Sequence, residues 1–538
     1  MMDFPLTLNV ILRRAETIHG NRKVATKCDD GSWHHYTYAD MGLRSRQLAV
    51  ALGKLGIKSG DRVATICWNH YAHFEAYFAI PCSGAVLHTI NPRLHEDDLT
   101  YILKEAEDRI VIIDQTMFPV LEKILDRVSL DHVIVFSGDQ QGSVPEGTLD
   151  YNQLVEETDA SGYEFPEFEE SRAAAMCYTS GTTGKPKGVL YSHRALVVHT
   201  LGSALSSAIG IREDDSILPV VPMFHVNAWG LPYTCAMMGS KLVFPGRHLD
   251  SKSLLESFEQ EKVTVAAGVP TIWIPLLEEL NRSADQYDLS ALHSLVVGGS
   301  AAPKSLMTEL EKRHNIRLVH AWGMTETTPL GTVAMLRPGQ ETLSEDEQYD
   351  VRLRQGHPVP FVEIRARGKE GIVPWDGKSM GELEVRGPWI AGSYYKRPDA
   401  EVQFTEDGWF RTGDIVTIDS NCSMKIEDRS KDLIKSGGEW ISSIDLENTI
   451  MSHSAVTEAA VIAVPDEKWT ERPLAVVVIR DSAEVTAEEL REYLSAKVAK
   501  WWIPDTFEFV EEIPKTATGK FKKTALREQF VNGSQHRS

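Results

Sequence analysis

The stretch Leu99–Gln115 reads LTYILKEAEDRIVIIDQ: apolar residues at helical spacing give way within a few positions to an unbroken apolar run, Ile110–Ile113. A period near that of a helix followed by a short continuous run predicts a helix feeding a buried strand. The exchange recurs down the chain. Strands are predicted at Leu242–Phe244, Val263–Ala267 and Leu295–Val297, with helices at Leu254–Glu261 and Pro303–His314 between them. Alternating helices and strands bury their apolar faces by stacking in layers, so the expected core is α/β.

After Arg354, glycine and proline punctuate shorter strand-like pieces, Phe361–Ala366 and Glu382–Arg386. Later strands are predicted at Ala459–Val464 and Leu474–Ile479, and a helix at Thr486–Lys500. A chain of 538 residues is long enough for two or more cores. We expect a large, multi-part amino-terminal domain over residues 1–430 and a smaller α/β domain over 431–538, joined without a long low-complexity linker.

Composition narrows the function classes. Apolar residues make up 42% and charged residues 25%, as in a compact soluble protein. The 77 acidic against 56 basic side chains leave a net charge of −21, which argues against nucleic acid as the partner. Six scattered cysteines form neither a zinc module nor a disulfide scaffold, so a reducing, cytoplasmic setting is expected. The opening MMDFPLTLNVILRRAETIHG fits an amphipathic helix better than a secretory leader, and the absence of a membrane-length apolar run predicts no integral membrane association.

The most distinctive local word is YTSGTTGKPKG, Tyr178 to Gly188. Small residues allow close backbone approach to phosphate, hydroxyls and N–H groups donate to it, and lysines offset its charge. It is not a Walker A loop, because Gly184-Lys185 is followed by Pro186 and the earlier glycine spacing is missing. Taken alone, such a stretch also suits a structural turn.

The whole word resembles the acyl-adenylate-forming enzyme family, which includes acyl-CoA synthetases, luciferases and adenylation domains. The resemblance continues in order through AWGMTET (Ala321–Thr327), Gly381-Glu382-Leu383, the stretch Tyr394–Asp414, DRSKD (Asp428–Asp432) and PKTATGK (Pro514–Lys520). It implies a large domain that binds ATP and a carboxylate and a small mobile domain that presents different surfaces to two half-reactions. Thr179, Ser180, Gly181, Thr182, Thr183, Gly184, Lys185 and Lys187 then form the β/γ-phosphate loop. Thr325 and Glu326 resemble the phosphate-binding hydroxyl and the Mg²⁺ carboxylate. Gly299, Ser300 and Ala301, with Ala321, Trp322, Gly323 and Met324, resemble the adenine side. Asp414 resembles the ribose-binding carboxylate, Arg429 a nucleotide contact and Lys431 the hinge.

The same resemblance makes Lys520 the catalytic lysine of adenylation, stabilising charge that develops at the α-phosphate. His225, Val226, Trp229, Gly230 and Gly298 resemble acyl-pocket positions, although an apolar segment also accommodates a structural histidine. Lys435, Gly437, Gly438, Glu439 and Trp440 lie where relatives contribute to the coenzyme A passage; Glu439 stands where some relatives place arginine, so no ionic contact is carried over there. HVNAWG, WGMTETTP and KSGGEWIS are most similar to the medium-chain and 3-methylmercaptopropionate branches. The implied activity is ATP-dependent ligation of a small-molecule carboxylate to coenzyme A, with Mg²⁺ as cofactor and 3-(methylthio)propionate, from dimethylsulfoniopropionate demethylation, as substrate. A general medium-chain ligase, an adenylate former with another acceptor and a non-catalytic nucleotide sensor are the alternatives. A homodimer fits the resemblance, though no symmetric face is legible.

Overall fold

The computed structural model describes the chain apart from residues 139–143, 180–184, 284–285, 438, 481–482, 516–520 and 533–538, and apart from the side chains of 439 and 532. Among the described residues, three sheets precede Lys431. A seven-stranded sheet runs Leu149–Asp150, His132–Phe136, Asp108–Asp114, Arg62–Ile66, Val86–Thr89, Ala173–Tyr178, Gly188–Ser192 from edge to edge. All its neighbours are parallel except the last pair. Its interior strands are continuous apolar runs because both faces are covered.

A nine-stranded sheet carries Lys241–Phe244, Ser216–Pro219, Val265–Gly268, Ser294–Val297 and Arg317–Gly323 through its middle, all paired in parallel. Between this sheet and the first lies the helix Tyr71–Cys82, in which every residue is buried. It packs on Val86–Thr89 and Ala173–Tyr178 on one side and on Lys23–Lys27 on the other. YAHFEAYFAIPC has no polar stripe, as a helix covered all round requires. Phe74, Tyr77 and Phe78 are each fully buried, and each contributes about 2 kcal/mol by removal from water.

Strand Arg317–Gly323 changes partner along its length. Its first half pairs in parallel with Ser294–Val297, and its last residues pair antiparallel with Leu330–Val333, with a bulge between Trp322 and Gly323. The extra residue of the bulge is Gly331 on the partner strand, where a Cβ would collide with the Trp322 ring, so glycine there makes room for the indole. The third sheet is five-stranded and antiparallel, ending in Phe410–Ile418 and Met424–Arg429 with Asp414 directly opposite Arg429.

Beyond Lys431 a separate core forms on a sheet of Glu439–Ile441, Ile434–Ser436, Thr470–Ile479 and Val456–Asp466, with Thr506–Phe509 added beside Thr470–Ile479. Helix Ser443–Met451 covers it. The helix predicted to reach Lys500 is shorter: it spans Ala487–Ser495, starts with a capping box between Thr486 and Glu489, and is followed by a 3₁₀ turn at Lys500–Trp502. Val498, Trp502 and Ile503 pack back on the small core, which a continued straight helix would prevent. Phe361 is likewise no strand residue; it is exposed with φ 74°, and the strand begins at Glu363. Among the described residues no helix is long and apolar enough to cross a membrane.

Candidate active site

Two adjoining cavities open where the sheets meet the small domain. The larger, about 450 Å³, is lined by Lys185, Lys187, the His225–Trp229 turn, Thr325, Glu326 and, from the small domain, Phe521–Thr524. The smaller, about 280 Å³, is lined by Gly299, Ser300, Ala301, Asp414 and small-domain residues including Glu447. Ala321, Trp322, Gly323, Arg429 and Phe521 face both.

Asp414 is 1% exposed and anchors the junction. Trp322 Nε1 donates to its Oδ2 at 3.0 Å, and Arg429 Nε lies 2.7 Å from its Oδ1. Strand pairing delivers Arg429, and Trp322 comes from the end of strand Arg317–Gly323. Gly413 just before it has φ 75°, a left-handed value that glycine adopts without penalty. A buried carboxylate held by an indole and a guanidinium is fixed in place with its charge compensated.

Glu326 sits on the short 3₁₀ turn Thr325–Thr327 and is 6% exposed. Burial pushes its carboxyl above the ordinary range, while a 2.5 Å hydrogen bond from Tyr394 Oη to Oε1 and the charges of Arg429 and Lys187 pull it back. Lys187 Nζ lies 4.8 Å over the Tyr394 ring and donates to Gln403 Oε1 at 2.9 Å. Tyr394 thus touches a phosphate-loop lysine and the acidic residue together. Neither Tyr394 nor Gln403 was assigned a role from the sequence: they meet Glu326 and Lys187 only through folding, across 68 and 216 positions.

The phosphate word is the connection between antiparallel strands Ala173–Tyr178 and Gly188–Ser192. Thr179 N–H donates to Lys187 O at 2.9 Å, closing the base of the loop. Lys185 Nζ lies 4.7 Å from the Tyr101 ring centre. Ser180, Gly181, Thr182, Thr183 and Gly184 lie outside the described residues.

At the apolar end, Val226, Asn227, Ala228 and Trp229 have φ of 45°, 52°, 49° and 58°, followed by Gly230 at 73°. Four successive non-glycine residues in the left-handed region cost about 1–2 kcal/mol each, offset by the burial of apolar Val226 and Ala228. HVNAWG carries only Asn227 and Gly230 as hints of this. His225, Val226, Trp229 and Gly298 line the larger cavity. A Cβ on Gly298 would stand 3.1 Å from Trp229 Cη2, so glycine there leaves room for the indole. Gly230 faces away from the cavity, against His199, whose ring would lie 2.7 Å from a Cβ at that position. Burial pushes the His199 imidazole down to about 3, so it is neutral, and Nε2 accepts the Leu330 N–H.

The described positions expected to form the coenzyme A passage lie apart from the cavities. Lys435, Gly437 and Trp440 line neither; Lys435 Nζ lies 5.6 Å over the partly exposed Trp440 ring, and Gly437 packs against Trp469. Gly438 and Lys520 lie outside the described residues, and Glu439 is described by its backbone alone, in strand Glu439–Ile441. Burial depresses the Lys431 amine, which lines the larger cavity between the two sheets' ends.

The chain matches the AMP-binding enzyme family over residues 12–395 and the AMP-binding enzyme C-terminal domain over residues 445–520. It is 47% identical to a long-chain-fatty-acid CoA ligase of Thermus thermophilus across 99% of this chain and 97% of that one. It is 42% identical to a 3-methylmercaptopropionyl-CoA ligase of Ruegeria pomeroyi across 98% of each. A solved anthranilate CoA ligase in complex with anthranoyl-AMP shares the fold with a TM-score of 0.88, at 25% identity over 99% of both chains. With that fold, those relatives and the assembled carboxylates and lysines, the chain belongs to the AMP-forming acyl-CoA ligase family and carries its ATP-dependent, acyl-adenylate-forming CoA ligase chemistry.

Proposed function

We propose that this enzyme ligates a short- or medium-chain carboxylate to coenzyme A, with 3-(methylthio)propionate as its substrate. The observation that carries this reading is the apolar end of the larger cavity. Trp229 stands over Gly298 there, beside Ile209, Val296 and Leu330, while the phosphate-binding lysines and Glu326 occupy the rest of about 450 Å³. Ligand pockets span roughly 300–1,000 Å³. A triphosphate and an acyl tail sharing a space in the lower part of that range leave room for a short tail. The relatives act on tails from long-chain fatty acids to methylmercaptopropionate, so similarity alone does not choose. A thioether and a short alkyl chain make the same demand for apolar contact.

In this reading the carboxylate oxygen attacks the α-phosphorus of ATP, and pyrophosphate leaves with the broken P–O bond electrons. Thr179 to Lys187 hold the departing phosphates, Asp414 takes the ribose hydroxyls, and Trp322 with Gly299–Ala301 frames the base. Lys520 meets the charge that builds at the α-phosphate. Glu326, a hard oxygen donor facing the phosphate end, fits Mg²⁺, and Thr325 stands beside it. When bound, Mg²⁺ draws charge from the phosphate oxygens. The coenzyme A thiolate then attacks the mixed-anhydride carbonyl and AMP leaves.

We place the domain boundary at 430/431, because Met424–Arg429 belongs to the third sheet and Ile434–Ser436 to the small one. Lys431 is the pivot in this scheme. Rotation about it exchanges the Phe521–Thr524 face for the face carrying Lys435, Gly437, Gly438, Glu439 and Trp440, which then forms the coenzyme A passage. A cytoplasmic homodimer serving dimethylsulfoniopropionate demethylation completes the proposal.

The test is mass-resolved product analysis with ATP, Mg²⁺, coenzyme A and a graded series of fatty, methylthio and aromatic acids. The expected result is thioester plus AMP, with kcat/KM for 3-(methylthio)propionate above those of size-matched and longer fatty acids. A preference for butyrate through octanoate replaces the substrate by the general medium-chain class. Acyl-AMP without thioester overturns the ligase reading in favour of another acceptor.

A further inference from the structure

Residues on either side of 516–520 are pinned at both arms. Lys515 and Phe521 form an antiparallel bridge, and Lys522 N–H donates to Pro514 O at 2.7 Å. On the first arm Lys515 Nζ is 2.6 Å from Glu458 Oε1. On the second, Lys523 Nζ is 2.6 Å from Glu447 Oε1 and donates to Ser443 Oγ at 2.6 Å. The second pin is the buried one: the Lys523 side chain is 12% exposed and Glu447 9%. Glu447 Oε1 also accepts the Val461 N–H at 2.7 Å, which ties it to the small-domain sheet.

The connection continues into the large domain. Ser443 N–H donates to Asp428 Oδ2 at 2.6 Å, and Asp428, 1% exposed, sits on the strand Met424–Arg429. The arm starting at Phe521 therefore has a continuous polar path, Lys523 to Ser443 to Asp428, to the sheet that also carries Asp414 and Arg429. The arm is no bystander to the cavities: Phe521 lines both, and Lys522, Lys523 and Thr524 line the larger. A buried ion pair adds little net stability compared with well-packed apolar groups, but it holds its partners in one geometry. Here the geometry held is that of a wall of the ATP cavity.

We infer that Lys523 is a positioning residue for the adenylation half-reaction, setting the Phe521–Thr524 arm against the cavity through Glu447 and Ser443. The inference rests on the proposed reading in which the small domain serves two half-reactions in turn. Glu447 and Lys523 both belong to the small domain, so their pair survives rotation. The arm it sets faces the ATP cavity only in the arrangement described here. Loss of the pair thus acts on one half-reaction.

The test uses the full-length enzyme and three measurements: ATP–pyrophosphate exchange, thioester formation from supplied acyl-adenylate and coenzyme A, and thermal melting. K523M is expected to lower the exchange kcat by about 30-fold, with the KM for ATP within about 3-fold and thioester formation from acyl-adenylate within about 3-fold of the parent enzyme. K523R restores most of the exchange rate. E447Q, which keeps an oxygen for the Val461 N–H, shows the same one-sided loss at smaller amplitude and decides the matter if K523M fails to fold. Equal losses in both half-reactions, an exchange rate that merely follows the melting temperature across the variants, or undiminished exchange overturns the inference. A parent enzyme that makes thioester from acyl-adenylate but shows no exchange with any carboxylate overturns the proposed reaction instead.

Discussion

The two faces that the proposed reaction uses are built in opposite ways. On the large domain, Asp414 already holds an indole and a guanidinium, and Glu326 already holds a tyrosine hydroxyl. Every one of those groups is buried or faces a cavity. On the small domain, Lys435 and Trp440 rest against each other at the surface, away from both cavities. The first is a set of groups already held in place; in the proposed scheme the second becomes a site only through a motion. On the proposed scheme, this one arrangement displays the nucleotide half of the chemistry and leaves the thiol half for another.

That contrast is broken or sharpened by five changes. The largest effect belongs to K520A, expected to lower ATP–pyrophosphate exchange by about 10³-fold while sparing thioester formation from supplied acyl-adenylate. Comparable losses in both assays would erase the distinction between the faces. D414A removes the acceptor shared by Trp322 and Arg429; kcat/KM for ATP in the exchange assay should fall by about 10²-fold, with little change for the carboxylate.

Glu447 supplies a test in which the small domain has its own prearranged group. Burial raises its carboxyl to about 6, against 4.5 when unfolded, despite the attraction of Lys523. The native state therefore holds more protons than the unfolded chain between those values, so the Glu447 contribution to stability is largest below pH 4.5 and declines as pH rises to 6. E447Q should flatten that decline in denaturant midpoints measured from about pH 4.5 to 6.5. W229A opens the apolar end and should shift kcat/KM toward longer fatty acids by about 10-fold relative to the parent. Smallest is K435A, expected to raise the KM for coenzyme A about 3-fold in low salt with the exchange rate unchanged.

Much of the fold was written in local periodicity. The run Ile110–Ile113 is the middle of strand Asp108–Asp114, and Leu295–Val297 is a strand nearly to the residue, because parallel strands covered on both faces need continuous apolar sequence. The end of the helix after Thr486 was not, since Val498 and Trp502 turn back to reach a core that only exists once distant strands have paired. Within the site, the phosphate word and the RTGD and TET words marked Lys187, Asp414 and Glu326, and folding gathers all three around the two cavities. What local sequence had no means of announcing was the company they keep. Tyr394, Gln403 and Lys523 reach their partners across long chain separations, and the left-handed turn at Val226–Trp229 is held by burial where side-chain preference opposes it.

The pairing of Asp414 with Arg429 has a consequence for timing. Arg429 stands two residues before Lys431, so the strand that holds Asp414, the proposed ribose carboxylate, runs directly into the proposed pivot. A ligand that pulls on one end of so short a segment biases the other, and such bias is mutual: the factor by which bound nucleotide favours one domain orientation is the factor by which that orientation tightens the nucleotide. In the proposed scheme AMP then departs most readily from the orientation that AMP itself disfavours, while the direction of turnover comes from the ATP consumed.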